Sequence, residues 1–182
     1  MEKSYAFVNG EKVLLRAIEE KDIDFFCAIR NNPLLQVLLM ITPRPQTREQ
    51  IVEWITKTGH DPQRLMFVIV DRFSEVTVGY LQLTSLNATH GTCELGICVS
   101  PEFQGKGFGT EAMELLDRIA SDFYKVRKFV LRVVSVNEPA IRLYRKIGFR
   151  EVGVLRDDFW ASREYHDVIV MEKFTALGEL MR

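Results

Sequence analysis

Cysteine is scarce in this sequence, and its few cysteines are not spaced for metal binding. The 182 residues include Cys27, Cys93 and Cys98, with neither a CxxC pair nor the Cys/His spacing of a zinc site. An odd number of widely separated cysteines also does not indicate a disulfide framework. We therefore expect reduced thiols that serve packing, and no metal site.

Long apolar runs and an excess of charge of either sign are also lacking. No stretch approaches the roughly 18 apolar residues of a spanning helix, and the start of the chain does not have the pattern of a secretion signal. The 24 basic and 25 acidic residues give a net charge of −1, which favours neither nucleic acid nor an anionic membrane. The sequence therefore predicts a cytoplasmic protein with no nucleic-acid or membrane partner.

The chain does have enough apolar residues for one substantial core, since 47% of its positions are hydrophobic. No repeat, linker or low-complexity segment divides it. We predict a single domain over residues 1–182, with a structural core of about 11–175.

The first third of the sequence predicts a hairpin followed by two helices. Asn9-Gly10 lies between two short apolar runs and is typical of a tight hairpin turn. Helical spacing over residues 20–31 predicts the first helix. Thr47 begins the capping box TREQ of a second helix, which Gly59 is expected to end, and the two helices are predicted to be consecutive.

The remaining sequence alternates β-rich and helical patterns. Three β-rich runs predict an antiparallel meander, and a helix, a strand, a helix and two strands then follow. These segments are expected at 65–71, 76–86, 92–100, 107–123, 128–136, 137–147, 148–155 and 166–174.

Three glycines crowd the junction of a strand and a helix in the stretch SPEFQGKGFGTEAM. The start of a helix has unpaired N–H groups and the positive end of the helix dipole, so bare backbone there suits an anion. The P-loop pattern does not match, because it requires Gly at Ser100 and Ser or Thr at Gly107. The dinucleotide fingerprint requires Gly at Thr110. The remaining pattern is QxxGxG directly before a helix.

This hexapeptide, QGKGFG at 104–109, resembles the pyrophosphate-binding loop of the GNAT superfamily of acetyl-CoA dependent N-acyltransferases. Upstream, ELGICVSPEFQGKG resembles the fourth strand of that family leading into its loop. Downstream, VNEPAIRLYRKIGF resembles its late helix, with Asn137, Tyr144 and Gly148-Phe149 at similar spacing. The order of elements is also similar over nearly the whole chain.

Within the superfamily, LRAIEEKDIDFF and EYHDVIVMEKF most resemble the branch that contains the ribosomal-protein and spermidine N-acetyltransferases. The resemblance implies a single-domain α/β (α+β) GNAT fold, a mixed and mostly antiparallel twisted sheet with helices on both faces. It implies direct N-acetyl transfer from the cosubstrate acetyl-CoA to a primary amine, without a metal. The alternative is a non-catalytic acetyl-CoA-binding regulatory module.

The resemblance also implies which residues hold acetyl-CoA. Backbone groups of Ile97, Cys98 and Val99 would pair with the pantetheine arm, and Asn137 would both cap its helix and touch the cofactor. The Lys106 ammonium either adds a charge near the pyrophosphate or is a solvated loop lysine. The pyrophosphate would be bound by backbone amides of Gln104, Gly105, Lys106, Gly107, Phe108, Gly109 and Thr110.

Two residues are the candidates for acid–base catalysis. Tyr144 stays protonated at neutral pH and is suited to protonate the departing thiolate, although it could instead be a core aromatic. Glu94 is the candidate base, because it shares a strand face with Gly96 and Cys98, although a salt bridge would also explain it. Cys98 is expected to contribute backbone only, so no cysteine nucleophile is predicted.

The acceptor amine is the least determined part of the function. The favoured acceptor is a peptide N-terminus, such as that of a ribosomal protein. Amino sugars, aminoglycosides and polyamines are the alternatives. Arg44 stands where spermidine acetyltransferases have acidic residues, which argues against a polyamine. The stretch DDFW at 157–160 is either an acceptor pocket or a solvated hairpin end. The apolar stretch LLQVLLMI is either a pocket wall or a homodimer contact.

Overall fold

The computed structural model describes residues 5–182, so the first four residues of the predicted domain lie outside the described part. One sheet of eight strands extends through the molecule. Its strands are β1 (Ala6–Asn9), β2 (Val13–Arg16), β3 (Leu65–Asp71), β4 (Thr77–Asn87), β5 (Thr92–Val99), β6 (Lys128–Val134), β7 (Arg150–Ala161) and β8 (Glu164–Phe174).

The strand order is β1-β2-β3-β4-β5-β6-β8-β7, and every neighbouring pair is antiparallel except β5 and β6. The predicted meander is therefore present as β3, β4 and β5. The helices are α1 (Ile23–Arg30), α2 (Pro33–Leu38), α3 (Arg48–His60), α4 (Phe108–Tyr124), α5 (Glu138–Lys146) and α6 (Ala176–Leu180). The predicted fold class, a mixed and mostly antiparallel sheet with flanking helices, is confirmed.

Two apolar clusters cover the two faces of the sheet, because successive side chains of a strand point to opposite faces. On β3, Phe67 and Ile69 pack with the buried stripe of α4 and with α5, whereas Val68 and Val70 pack with residues of α1, α2 and α3. No helix in the described range is long and apolar enough to cross a membrane.

The turn at Asn9-Gly10 is fixed to the start of α4. The Glu111 carboxylate accepts hydrogen bonds from the backbone N–H groups of Glu11 and Lys12, the latter at 3.0 Å. A Cβ atom at Gly10 would overlap this carboxylate, so a larger residue there would displace the Glu111 side chain. The hairpin therefore holds the first turn of α4 in place.

A buried ion pair fixes the start of α1 to the sheet. The two terminal nitrogens of the Arg16 guanidinium, Nη1 and Nη2, donate to the Asp22 carboxylate at 2.6 and 2.9 Å. Both side chains are almost fully buried. The Thr77 hydroxyl also donates to Asp22, at 2.6 Å. Burial disfavours the charged carboxylate, but the hydrogen bonds from Arg16 and Thr77 outweigh it, so the pKa of Asp22 lies below its usual value.

The prediction of two consecutive helices was wrong, because α2 lies between them. Asn32 caps α2 by accepting hydrogen bonds from the backbone N–H groups of Leu34 and Leu35, at 3.0 and 3.2 Å. Pro33 occupies the first helical position, where its missing N–H costs nothing. The same Asn-Pro pair therefore follows one helix and begins the next.

Element boundaries also differ from the sequence predictions. The capping box at Thr47 is present, but α3 continues through Gly59 and ends at His60. The last hairpin turns at Ser162 and Arg163, whose φ angles are 53° and 70°. The stretch 157–160 is therefore part of β7 and does not form the end of the hairpin.

Candidate active site

The sheet opens between β5 and β6. These two parallel strands pair only through Thr92 with Lys128, Cys93 with Phe129 and Glu94 with Val130. Beyond Val130, β6 stays paired with β8, and β5 stays paired with β4. The two strands therefore diverge, and residues 95–99 of β5 have a free edge that faces a wedge-shaped cleft.

Alternation along β5 decides which backbone groups face this cleft. The Ser100 N–H donates to the carbonyl oxygen of Val78 at 2.9 Å, so its backbone faces β4. Because alternate residues of a strand point the same way, the backbone of Cys98 also faces β4, and those of Ile97 and Val99 face the cleft. Of the three residues expected to offer free backbone groups, Ile97 and Val99 therefore do so in this structure, whereas the backbone of Cys98 faces β4.

A cavity of about 430 Å³ occupies the cleft between β5, the glycine loop, α5 and α2. Every residue that the resemblance assigns to acetyl-CoA lines it, apart from Lys106. These lining residues are Ile97, Cys98, Val99, Gln104, Gly105, Gly107, Phe108, Gly109, Thr110 and Asn137.

The glycines of the loop have two different structural roles. Gly105 and Gly107 have φ angles of 75° and 88°, in the left-handed region that L side chains rarely adopt. Gly109 is helical, and a Cβ there would lie 3.4 Å from Leu143 and 3.5 Å from Val99. Bare backbone at Gly109 therefore keeps the cleft open between β5 and α5.

Lys106 does not point into the cavity. Its ammonium lies 5.0 Å from the ring centroid of Phe103. Two other cations, Arg142 and Lys146, line the cavity instead. Sequence reasoning missed both, although they lie three and seven residues after Pro139 and therefore on the same face of α5.

Hydrogen bonds already occupy two of the polar groups in the cavity. The Gln104 side chain donates to the Val99 carbonyl oxygen at 2.9 Å. Asn137 caps α5, as predicted, by accepting from the Ala140 N–H at 3.3 Å, and its amide nitrogen donates to the Leu38 carbonyl oxygen at 3.3 Å. Asn137 therefore connects α5 to the end of α2.

The apolar stretch around α2 forms a wall of the cavity. Leu35, Leu38 and Leu39 line the cavity, whereas Leu34 on the same helix is 76% exposed. Of the two alternatives for this stretch, the pocket wall is the one that the structure supports.

Tyr144 is buried next to Leu143, which lines the cavity, but Tyr144 is not itself a lining residue. Its ring centroid lies 5.6 Å from that of Phe149, and its hydroxyl has no hydrogen-bond partner among residues 5–182. Burial raises the pKa of Tyr144. The phenol is therefore neutral over the ordinary pH range and keeps a proton that it can donate.

Cys98 is not a nucleophile in this structure. Its side chain is 5% exposed, and burial raises the pKa of the thiol to about 12. Burial and the charge of Glu94 raise the pKa of Cys93 to about 12 as well. Both thiols are therefore protonated at neutral pH, when only the thiolate would be reactive.

Glu94 lies on the predicted face but is exposed. Cys98 packs in the cluster of the α1–α3 side and Cys93 and Leu95 in the opposite one, as the alternation predicts. No hydrogen bond or ion pair holds the Glu94 carboxylate within the described range, so the salt-bridge alternative was wrong. Glu94 lies four residues before Cys98, roughly 13 Å along an extended strand.

The DDFW stretch at 157–160 does not contribute to the cavity. It belongs to β7, where the Asp157 N–H donates to the Asp167 carboxylate at 3.0 Å and Trp160 packs on Tyr165. An acceptor pocket at these residues therefore has no support from the geometry of the cleft.

Comparison with known families identifies this arrangement of cleft and loop. The family model described as an acetyltransferase (GNAT) domain matches residues 12–150. This chain belongs to the GNAT acetyltransferase family. It is therefore an acetyl-CoA dependent N-acetyltransferase of the GNAT type, and the predicted family and enzyme class are confirmed.

Individual GNAT relatives have similar length. The spermidine N(1)-acetyltransferase of Vibrio cholerae is 29% identical over 159 residues, which cover 87% of this chain and 91% of that protein. YdaF, a ribosomal N-acetyltransferase-like protein of Bacillus subtilis, is 24% identical over 166 residues, which cover 88% of this chain and 90% of YdaF. Both branches expected from the sequence are thus represented.

Solved structures of the Vibrio cholerae spermidine N-acetyltransferase have the same fold. The complex of that protein with CoA and spermine superposes with a TM-score of 0.85 at 27% identity, over 92% of this chain and 98% of the other. A dodecameric structure of that protein superposes with a TM-score of 0.76 at 28% identity, over 90% of this chain and 94% of the other.

Proposed function

We propose that this GNAT enzyme binds acetyl-CoA in the cleft between β5 and β6 and transfers its acetyl group directly to a primary amine. The observation that carries the proposal is the free edge of β5, which runs directly into the glycine loop at the start of α4. An extended arm and a pyrophosphate, joined in one cosubstrate, require those two features in that order.

The charges and shape of the cavity fit acetyl-CoA. Unpaired N–H groups at the start of α4 favour the pyrophosphate. Lys146 and Arg142 line the same cavity and carry positive charge, and the Arg142 guanidinium is also paired with Glu138 at 2.9 Å. The backbone of Ile97 and Val99 suits the amide groups of the pantetheine arm. The bond between the Gln104 side chain and the Val99 carbonyl oxygen must then be exchanged for one to the cosubstrate.

In the transfer, the neutral amine nitrogen attacks the thioester carbonyl carbon. A carbon–nitrogen bond forms, the carbon–sulfur bond breaks, and the sulfur departs with the electron pair of that bond. Tyr144 donates its proton to this sulfur, and the amine loses a proton to a water held by the exposed Glu94 carboxylate. A water is needed because Glu94 does not line the cavity.

Two acceptor classes remain within the proposed function. A peptide N-terminus is the acceptor expected from the sequence, and the similarity to YdaF agrees with it. A small amine is the second candidate, because the Vibrio cholerae relative is a spermidine N(1)-acetyltransferase. A homodimer is still a prediction for this chain, and the dodecamer of the Vibrio cholerae protein makes an oligomer worth measuring.

The proposal is tested by measuring CoA release from acetyl-CoA with peptides, polyamines, amino sugars and aminoglycosides as acceptors. Mass spectrometry of the product should show one added acetyl group on a primary amine. Binding of CoA, measured separately by calorimetry, distinguishes the two functional classes. CoA binding without acetylation of any amine would favour the non-catalytic module.

A further inference from the structure

The lining of the cavity has two parts that differ in chemistry. The backbone amides of the glycine loop suit the phosphates of the proposed cosubstrate. The wall formed by α2 is apolar, because Leu35, Leu38 and Leu39 line it. With the phosphates at the loop, this apolar wall is available to the substituent of the incoming amine.

The α2 wall is anchored by hydrogen bonds at Gln36, in the middle of the helix, and at Leu38, its last residue. The buried Gln36 side chain donates to the carbonyl oxygens of Arg30 and Arg44, the latter at 2.8 Å, and accepts from the Arg44 N–H at 2.9 Å. At the end of the helix, the Leu38 carbonyl oxygen accepts from Asn137. The leucines are therefore part of a fixed surface, which can select among ligands.

Negative charge is lacking at this wall. The described residues that line the cavity include no aspartate or glutamate. The charged residues that do line the cavity are the cations Arg142 and Lys146. An ammonium group pressed against this wall would lose water without gaining a carboxylate partner.

The geometry points to an acceptor with a single amine and an apolar substituent next to it, such as an alkylamine or a peptide N-terminus with an apolar first residue. The substituent packs on Leu35, Leu38 and Leu39, and a second ammonium is disfavoured. This inference rests on the proposed N-acetyl transfer and adds the acceptor class. It separates this enzyme from the relatives named for spermidine.

A matched pair of acceptors tests the inference directly. Butylamine and 1,4-diaminobutane have the same carbon chain and differ by one ammonium group. Leucinamide and glycinamide differ by the apolar substituent. We expect kcat/KM to be about tenfold or more higher for butylamine than for the diamine, and for leucinamide than for glycinamide.

Variants of α2 assign the preference to its wall. Leu38→Glu places a carboxylate in the cavity and should move the butylamine-to-diamine ratio about tenfold toward the diamine. Leu34→Glu is the matched control, since it adds the same charge to the same helix at an exposed position outside the cavity. This control should leave the ratio unchanged, and both variants should retain CoA binding.

Three results would overturn the inference. The first is a wild-type enzyme that prefers the diamine, and the second is an equal change of the ratio in both glutamate variants. The third is a Leu38→Ala variant that accepts longer acyl-CoA thioesters but keeps the wild-type acceptor ratios, since the leucines would then contact the acyl chain. Each leaves the proposed function intact, because that function is tested separately by the wider panel of peptides, polyamines, amino sugars and aminoglycosides. Failure to acetylate any of the four amines, with activity on another member of that panel, would likewise overturn the inference alone.

Discussion

Glu94 and Val130 are the last paired residues of the parallel ladder between β5 and β6. The free edge of β5 therefore begins next to the candidate base, and the wedge widens from there toward the glycine loop. The end of the β5–β6 ladder thus determines where the cosubstrate can bind and places the Glu94 carboxylate at the start of the free edge.

Gly109→Val should obstruct the cleft without disturbing the fold. Gly109 is helical, so valine meets no left-handed strain, and its methyl groups would extend toward Leu143 and Val99. We expect affinity for CoA, measured by calorimetry, to fall about tenfold or more. Gly59→Val in α3, where a Cβ meets open space, is the control and should leave affinity unchanged. Equal CoA affinities in the two variants would contradict the placement of the pantetheine arm.

Glu94→Gln should impair catalysis without a loss of stability. The exposed carboxylate has no hydrogen bond or ion pair in residues 5–182, so the change should alter the free energy of unfolding by less than about 0.5 kcal/mol. If Glu94 acts through a water, kcat should fall about 10²-fold, and the acidic side of its pH profile should change.

Glu114→Gln is the matched control for Glu94, because Glu114 is an exposed glutamate on α4 outside the cavity. It should have wild-type kcat over the same pH range. If Glu94→Gln also has wild-type kcat, the base is another group, and Glu94 is a solvated surface residue.

Asp22→Asn tests the buried ion pair that joins α1 to the sheet. Removing this charge leaves the buried Arg16 guanidinium with only the more distant Glu19 carboxylate, at 3.8 Å, so the free energy of unfolding should fall by up to about 3–5 kcal/mol. Asp24→Asn is the control, since that side chain is 83% exposed, and it should change stability by about 0–1 kcal/mol.

The same pair predicts how stability depends on pH. Because the pKa of Asp22 is lowered in the folded protein, the unfolded state binds its proton first as the pH falls. The stabilisation is therefore present above the unfolded value and is lost as the pH falls through the folded value. Urea unfolding from pH 7 to pH 3 should show a steeper loss for the wild type than for Asp22→Asn, and parallel curves would contradict the assignment.

Local patterns predicted most of the fold. The glycines before α4, the capping box at Thr47 and the alternation along β5 each depend on neighbouring residues, and each is present. The helix α2 was missed because six residues are too few for a clear helical period. Its Asn-Pro start also has the same composition as a stop signal for α1.

The side-chain environment of the site depends on tertiary packing and could not be predicted from local patterns. Alternation correctly placed Glu94 on the sheet face that packs against α1, α2 and α3. Whether a residue on that face is buried depends on how far these helices extend over it, which local patterns do not show. The apolar cluster on that side contains Cys98 and not Glu94. Similarly, the Lys106 ammonium contacts the ring of Phe103 and does not line the cavity. The cations that do line it, Arg142 and Lys146, belong to α5.

Tyr144→Phe tests whether Tyr144 is the general acid. The substitution keeps the ring and its contact with Phe149 and removes only a hydroxyl that has no hydrogen-bond partner in the described part of the chain. The free energy of unfolding should therefore be unchanged or slightly higher. We expect kcat to fall about 10²- to 10⁴-fold with CoA affinity retained. Tyr124→Phe removes a phenol hydroxyl at the end of α4 and is the matched control.

The pH profile separates proton donation by Tyr144 from a packing role. Because burial raises the pKa of Tyr144, the phenol keeps its proton beyond its ordinary value of about 10. With a peptide N-terminus as acceptor, whose amine has an ordinary pKa of about 8, wild-type activity should rise as the amine loses its proton and then stay level to about pH 10. Tyr144→Phe should follow the same shape at a lower level. A fall in wild-type activity below that pH that is absent in Tyr144→Phe would show that the phenol ionises there. A folded Tyr144→Phe enzyme with full kcat would exclude Tyr144 as the acid, and the thiolate would then take its proton from water.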